Sequence, residues 1–195
     1  LGCEDAAIEN GSVHFRGDAA LICRANLWLR CADRVLINMG TFKAVTFEEL
    51  FQGTKAIPWE TLIGETGAFP VSGKSVKSTL HSVPNCQKIV KKAIAERLKS
   101  VYQKDWLEET GAVYKIEVGI LNDVVTLTVD TSGAGLHKRG YRSKAGEAPI
   151  KETLACAMLY ISRWRGDRVL LDPLCGSGTI PIEAAMIACN IAPGL

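Results

Sequence analysis

Asp172, Gly176 and Gly178 stand at a spacing that suits binding of a nucleotide-like ligand. They lie in "DPLCGSGTIPIEAAMIA" (172–188), where an acid closes a short apolar run, a glycine-rich turn follows and a helix-like pattern begins. Glycines let the backbone approach a ligand closely, and the free N–H groups of a helix start point towards it. A P-loop would need G-x-x-x-x-G-K-[ST], but Thr179 and not lysine follows Gly178. The dinucleotide fingerprint would need a third glycine where Pro181 stands. What remains is D-x-x-x-G-x-G. That form suits S-adenosylmethionine, whose cationic methionine end gains from an acid such as Asp172 while the glycines admit its adenosine part. The plainer alternative is a tight βα connection with no ligand; the Asp-Pro entry and the Gly-Thr-Ile-Pro exit weigh against it.

A second set of residues concerns charge. Between Lys74 and Lys104 stand eight basic residues and one acid, Glu96, a local +7 in a chain of net +2. The remainder therefore carries −5. Lys88, Lys91, Lys92 and Lys99 fall together on one side of a helical projection, with Lys74, Ser75 and Lys77 in the segment before them. A like-charged face costs repulsion that phosphates offset, so an RNA backbone is the expected partner, positioned rather than read in sequence. A solvated helix face is the competing reading. Arg139 and Arg142 are grouped with this RNA-binding set, although Arg139, Tyr141 and Arg142 serve equally well as linker packing, and both readings stay open.

Other chemistries find less support. Seven cysteines are scattered without a C-x-x-C, and no histidine (His14, His81, His137) stands at metal-ligand or triad spacing from one. Reduced thiols in the cytosol are expected, with no structural metal. Cys175 lies in the glycine loop but has no basic partner nearby in sequence to make it a nucleophile. No apolar run approaches the roughly 18 residues of a membrane span. Hydrophobic residues at 47% and charged residues at 23% are those of an ordinary globular chain.

The elements that must position these residues follow from periodicity. "GSVHFRG" reads as a strand and "DAALICRANLWLRCA" as a helix capped by Asp18. "DRVLINMGTF" alternates as a strand, and "TFEELFQG" is a short helix with Thr46 and Glu49 at capping-box spacing and a stop at Gly53. "AFPVSGKSVKSTLHSVPN" leaves a strand for a loop, and a long helix spans about 85–104 with Val90, Ile94, Leu98 and Val101 inward. "VYKIEVGIL" and "VVTLTVDT" flank Asn122-Asp123 as a hairpin. "SGAGLHKRGYRSKAGEAP" (132–149) is the expected linker. Pro149 then opens a helix with Leu154, Met158, Ile161 and Trp164, or their neighbours, inward. "RVLLD" is expected as a strand and the segment after Gly178 as the last helix. Trp28, Trp59, Trp106 and Trp164 are expected in the core.

"DPLCGSGTIPIEAA", preceded by "GEAPIKETLA" and "LHKRGYR", resembles the RNA N2-guanine methyltransferases that carry an N-terminal THUMP domain. "FPVSGKSVKSTLHSVPNCQKIVKKAIAERL" resembles the THUMP segment itself, so the likeness covers nearly the whole chain. It implies an α/β (α+β) chain: a truncated ferredoxin-like segment (1–33), a THUMP RNA-binding domain (34–140), then a linker and the first βα unit of a Rossmann-like methyltransferase domain (141–195). It also makes Asp172, Pro173, Cys175, Gly176, Ser177, Gly178 and Thr179 the S-adenosylmethionine motif. The implied reaction is methylation of guanine N2 in RNA, rRNA ahead of tRNA. The catalytic Asn/Asp-Pro-Pro-Tyr/Phe of that family occurs nowhere in 1–195. Residues 1–195 alone are thus expected to bind RNA and not to catalyse. An accessory RNA-binding module without activity is the alternative.

Overall fold

The computed structural model describes residues 1–9, 11–141 and 149–194. In chain order the elements are β1 (Glu4–Glu9), β2 (Ser12–Arg16), α1 (Ala19–Trp28), β3 (Leu36–Lys43), α2 (Phe47–Ala56), β4 (Val71–Val76), α3 (Val83–Tyr102), β5 (Lys115–Leu121), β6 (Val124–Asp130), α4 (Glu152–Ile161) and α5 (Thr179–Ala188). They form two compact units. One is continuous, Leu36–Thr131; the other joins Leu1–Val35 to Ser132–Leu195. The segment from Ser132 onward, expected as linker, therefore groups with the N-terminal residues.

The continuous unit is a four-stranded sheet in the order β3-β6-β5-β4. β3/β6 and β5/β6 are antiparallel, whereas β4/β5 is parallel, with α3 as the crossover that a parallel pair needs. Strict alternation puts Ile116, Val118 and Ile120 of β5 and Val125, Leu127 and Val129 of β6 on one face. That face meets Cys86, Val90, Ile94 and Leu98 of α3, Leu50 of α2, and Trp59, Ile63 and Phe69 from the connection between α2 and β4. Full burial of each Leu, Ile or Val contributes about 1.5–3 kcal/mol, so this core holds the unit together. Asn122 and Asp123 both take positive φ (50° and 63°), the two-residue turn that matches strand twist in a tight hairpin.

Several expectations shift in this unit. α2 does not stop at Gly53 but runs to Ala56, with the Thr46/Glu49 capping box formed as expected. Gly53 is there for another reason: a Cβ on it would lie 2.4 Å from Phe42 Cε2. On α3 the inward stripe includes Cys86 and Ala93, and Val101 is exposed; Tyr102 turns in instead and donates to the Ile63 carbonyl at 2.6 Å. The register slip between Asn38 and Gly40 moves the inward phase of β3 from Met39 to Phe42. Of the four tryptophans only Trp59 is in the core, its indole N–H donating to the Thr54 carbonyl; Trp106 is 76% exposed.

The other unit opens with the β1–β2 hairpin, whose first strand was not expected from sequence. α1 follows, with Asp18 accepting from the Leu21 N–H at 2.8 Å. α4 packs on α5, but begins at Glu152 rather than at Pro149. Its buried side is Glu152, Thr153, Ala155, Cys156 and Leu159; Leu154, Met158 and Ile161 are exposed, so the neighbours of the expected residues point inward. "RVLLD" forms no strand: Val169 and Leu171 are 97% and 83% exposed, and among the described residues no ladder pairs with them. A strand is a pairing and not a local conformation, so an apolar run without a neighbouring strand stays irregular.

Candidate functional site

The glycine loop is set by the start of α5. Gly178 caps the helix at φ +73° and Gly176 precedes it at +55°, both in the region that costs an ordinary L-residue roughly 1–2 kcal/mol. A Cβ on Gly176 would meet nothing within 4 Å, and one on Gly178 only Ile182 Cδ1 at 3.7 Å. The loop is therefore open on its outer side. It is closed internally by the Gly178 N–H donating to the Cys175 carbonyl at 2.8 Å. The Asp172 carboxylate accepts from the Leu174 N–H at 3.3 Å, and the Ser177 and Thr179 hydroxyls lie 3.1 Å apart. α5 starts without a side-chain cap, which leaves its first turn to offer donors to a ligand. Pro173 is exposed beside this acid, and so is Cys175, whose Sγ reaches only the Gly176 carbonyl (4.0 Å) among the described residues. An acid at the head of an open, glycine-lined turn fits the donor and space requirements of S-adenosylmethionine set out above.

Behind the loop lies a buried polar cluster that sequence reasoning missed. Thr179, Glu183 and Ala184 form the buried side of α5. The Glu183 carboxylate accepts from the Tyr141 hydroxyl at 2.9 Å and from the Cys156 thiol at 2.8 Å, with Arg139 Nε at 3.5 Å. The Arg139 guanidinium donates to the carbonyls of Arg30 (2.6 Å) and Leu136. Burial first, then the hydrogen bond to Glu183, pushes the Cys156 thiol from its ordinary 9.0 up to about 12. The visible signal was one acid, Glu183, inside the otherwise apolar "IPIEAAMIA".

This cluster corrects the grouping of Arg139 with the RNA-binding residues. Its side chain is only 1% exposed, and its donors are turned to carbonyls and a carboxylate, where no phosphate can reach. Arg142 lies outside the described residues.

The lysine face is where the sequence places it, on α3 and on the strand and loop before it, but acids from distant elements meet it. Lys74 on β4 pairs with Glu117 on β5 at 2.7 Å. Lys91 pairs with Glu109 at 3.0 Å and lies over the Phe69 ring; Lys92 is 3.9 Å from Glu96 and over Phe51. Arg97 pairs with Glu60, whose carboxyl is held below its ordinary range chiefly by that hydrogen bond. Lys99 lies 6.0 Å from the Trp106 ring centroid. Lys77 and Lys88 make no ion pair among the described residues. Ser75 donates to the Leu80 carbonyl at 2.7 Å, and Asp123 accepts from the Thr79 N–H, so the hairpin turn braces the loop carrying Lys77.

All seven cysteines are free thiols, and among the described residues no three His, Cys, Asp or Glu side chains group as metal ligands. No helix among the described residues is long and apolar enough to cross a membrane.

Three family models match along the chain: an RlmL ferredoxin-like domain over residues 1–36, a THUMP domain over 44–130, and an RMKL-like methyltransferase domain over 139–195. The chain is 61% identical over 196 residues to "Putative RNA methyltransferase YpsC" of Bacillus subtilis (strain 168), a match that covers 100% of this chain and 51% of that protein. A solved structure described as a "predicted N6-adenine-specific DNA methylase" from Listeria monocytogenes shares 62% identity with a TM-score of 0.95, covering 99% of this chain and 51% of that one. SMU.472, "a putative methyltransferase complexed with SAH", shares 49% identity with a TM-score of 0.94, over 99% of this chain and 51% of that one. The chain thus spans about half the length of the relatives it matches. The three domain matches follow one another along the chain: an RlmL-like ferredoxin domain, a THUMP domain and an RMKL-like methyltransferase domain.

Proposed function

We propose that the full-length protein methylates the N2 amine of a guanine in RNA, rRNA ahead of tRNA, with S-adenosylmethionine as methyl donor. The observation that carries this reading is the open turn at Gly176 and Gly178, headed by Asp172, inside the segment matching the methyltransferase domain. The relative complexed with SAH supports the same cofactor. Asp172, Pro173, Cys175, Gly176, Ser177, Gly178 and Thr179 would hold it: the acid beside the ammonium, the glycines against the adenosine. When bound, it supplies an activated methyl group.

The THUMP match over 44–130 contains Lys74, Ser75, Lys77, Lys88, Lys91, Lys92 and Lys99, and we assign these residues to the RNA surface. Lys77, Lys88 and Lys99 have the most charge to offer, because no acid is paired with them among the described residues. Domain limits of 1–33, 34–140 and 141–195 remain our assignment, with the segment from Ser132 packed among the residues of the first and last of these. In this reading residues 172–179 would contribute mainly by positioning the methyl donor against the guanine amine. Residues 1–195 alone bind RNA without turnover in this reading, since no Asn/Asp-Pro-Pro-Tyr/Phe is present. Seven free thiols fit the reducing cytosol.

The test incubates the full-length protein with methyl-labelled S-adenosylmethionine and RNA from cells lacking the gene, with DNA in parallel, and identifies the labelled nucleoside. Label in N2-methylguanosine is the expected result, and fractionation then separates rRNA from tRNA. Label in N6-methyladenine of DNA would overturn the substrate assignment. Absence of label with RNA binding intact would favour an accessory binding module.

A further inference from the structure

A carboxylate that is fully buried one turn behind a ligand loop needs a reason to be there. Glu183 is 0% exposed, and leaving such a group without partners is costly. Its partners come from two parts of one unit. Tyr141 and Arg139 stand on the segment ahead of α4, and Cys156 stands on α4 itself. Arg139 carries the connection further, since the same guanidinium binds the carbonyls of Arg30, just past α1, and of Leu136. The Arg139 Nε has no hydrogen-bond partner among the described residues and lies 3.5 Å from Glu183 Oε1.

The geometry bears on the loop directly. Thr179 and Glu183 are one helical turn apart on the same buried side of α5, and Thr179 is the first residue after Gly178. The Thr179 hydroxyl in turn contacts Ser177 inside the loop. Fixing Glu183 therefore fixes the rotation of α5 about its axis, and with it the direction of the Gly176–Thr179 backbone. The other fully buried residues of α5 are Thr179 and Ala184, so Glu183 is the longest fully buried side chain that can register the rotation.

We infer that Arg139, Tyr141 and Glu183 are positioning residues for the cofactor, a buried latch that holds the glycine loop in its ligand-binding orientation. The inference rests on the reading of residues 172–179 as the S-adenosylmethionine motif. It gives Arg139 and Tyr141 a role in cofactor binding rather than in RNA contact. Misplacement of a binding group by about 1 Å can cost up to about a hundredfold, so loss of the latch should show in cofactor affinity.

The test uses the full-length protein and steady-state kinetics with both substrates varied. Tyr141→Phe removes one hydroxyl and keeps the ring, and Glu183→Gln keeps the shape while removing the charge. Gly176→Val serves as the control for the loop itself. The expected result is a rise of about tenfold or more in the cofactor KM for both latch variants, with the RNA KM unchanged. Where Glu183→Gln lowers the thermal midpoint, Tyr141→Phe keeps the proposal readable. A lowered midpoint with both KM values unchanged would make the cluster structural only and overturn the latch. A raised RNA KM with an unchanged cofactor KM would overturn it too, in favour of an RNA role. If Gly176→Val binds cofactor normally by calorimetry, the loop reading fails first, and the latch with it. If Gly176→Val abolishes binding while the latch variants behave as wild type, only the latch fails.

Discussion

Replacing Gly53 by alanine sets two effects of known sign against each other. Gly53 sits inside α2, where alanine is favoured over glycine by roughly 1 kcal/mol. Against that, the added Cβ would lie 2.4, 2.5 and 2.7 Å from Cε2, Cδ2 and Cζ of Phe42. Ordinary contact needs 3.4 Å or more, so the ring must retreat by about 1 Å, and overpacking of this kind costs about 1–3 kcal/mol. Phe42 is packed against the main core, so its ring cannot swing out without uncovering apolar surface. The clash should win, with a net loss of up to about 2 kcal/mol in urea denaturation followed by tryptophan fluorescence. Phe42→Leu removes the ring edge, and in that background Gly53→Ala should stabilise by up to about 1 kcal/mol. Stabilisation by Gly53→Ala alone, or no coupling between the two sites, would refute the steric account of this glycine.

Lys88→Glu with Lys92→Glu should weaken RNA binding and reduce the slope of log K against log salt by about 2, read by titration at several salt concentrations; unchanged affinity and slope would remove α3 from the RNA surface. Glu60→Gln concerns acid stability. The folded carboxyl lies below its ordinary 4.5, chiefly through Arg97, so its contribution is present above pH 4.5 and lost as pH falls through the folded value. The difference in urea midpoint between variant and wild type should be largest near pH 7 and should shrink below pH 4.5; a constant difference would sink the argument. Cys156, with its thiol raised to about 12, should resist iodoacetamide at pH 8 while exposed Cys3, Cys23 and Cys189 react. Equal rates by mass spectrometry would contradict the buried hydrogen bond to Glu183.

Much of the fold was legible because its signals are local. The Asp18 cap, the Thr46/Glu49 box, the Asn122-Asp123 turn and the alternation of β5 and β6 each need only a few adjacent residues. Expectations shifted where a distant partner decides. Gly53 looked like a stop because glycine lacks helix propensity, yet the Phe42 ring across the layer is what asks for it. "RVLLD" looked like a strand because it is apolar, but a strand also needs a neighbour. Val101 and Tyr102 are adjacent candidates for one inward position, and the carbonyl of Ile63 selects the tyrosine. The glycine loop was legible for the opposite reason, since positive φ and an open outer side are properties of the glycines themselves.

Charge was the least legible property. The sequence argument for an RNA surface rested on one acid among nine charges between Lys74 and Lys104. In the fold, Glu60, Glu65, Glu109 and Glu117 reach that surface from elements outside the segment and pair with Arg97, Lys104, Lys91 and Lys74. Repulsion within the segment is thereby relieved without any phosphate, so it no longer counts in favour of RNA. Exposed ion pairs of this kind contribute little, about 0–1 kcal/mol each, and a polyanion can displace the glutamates. The case for the surface then depends on Lys77 in the loop and Lys88 and Lys99 on α3, which pair with no acid among the described residues, and on the brace from Asp123 that holds the loop before the helix. Arg139 shows the converse. By composition it belonged with the basic linker residues, but its burial opposite Glu183 makes it part of the support behind the glycine loop. A cation's role is thus decided by where its counter-charge stands, and that distance in space is what spacing along the chain does not carry.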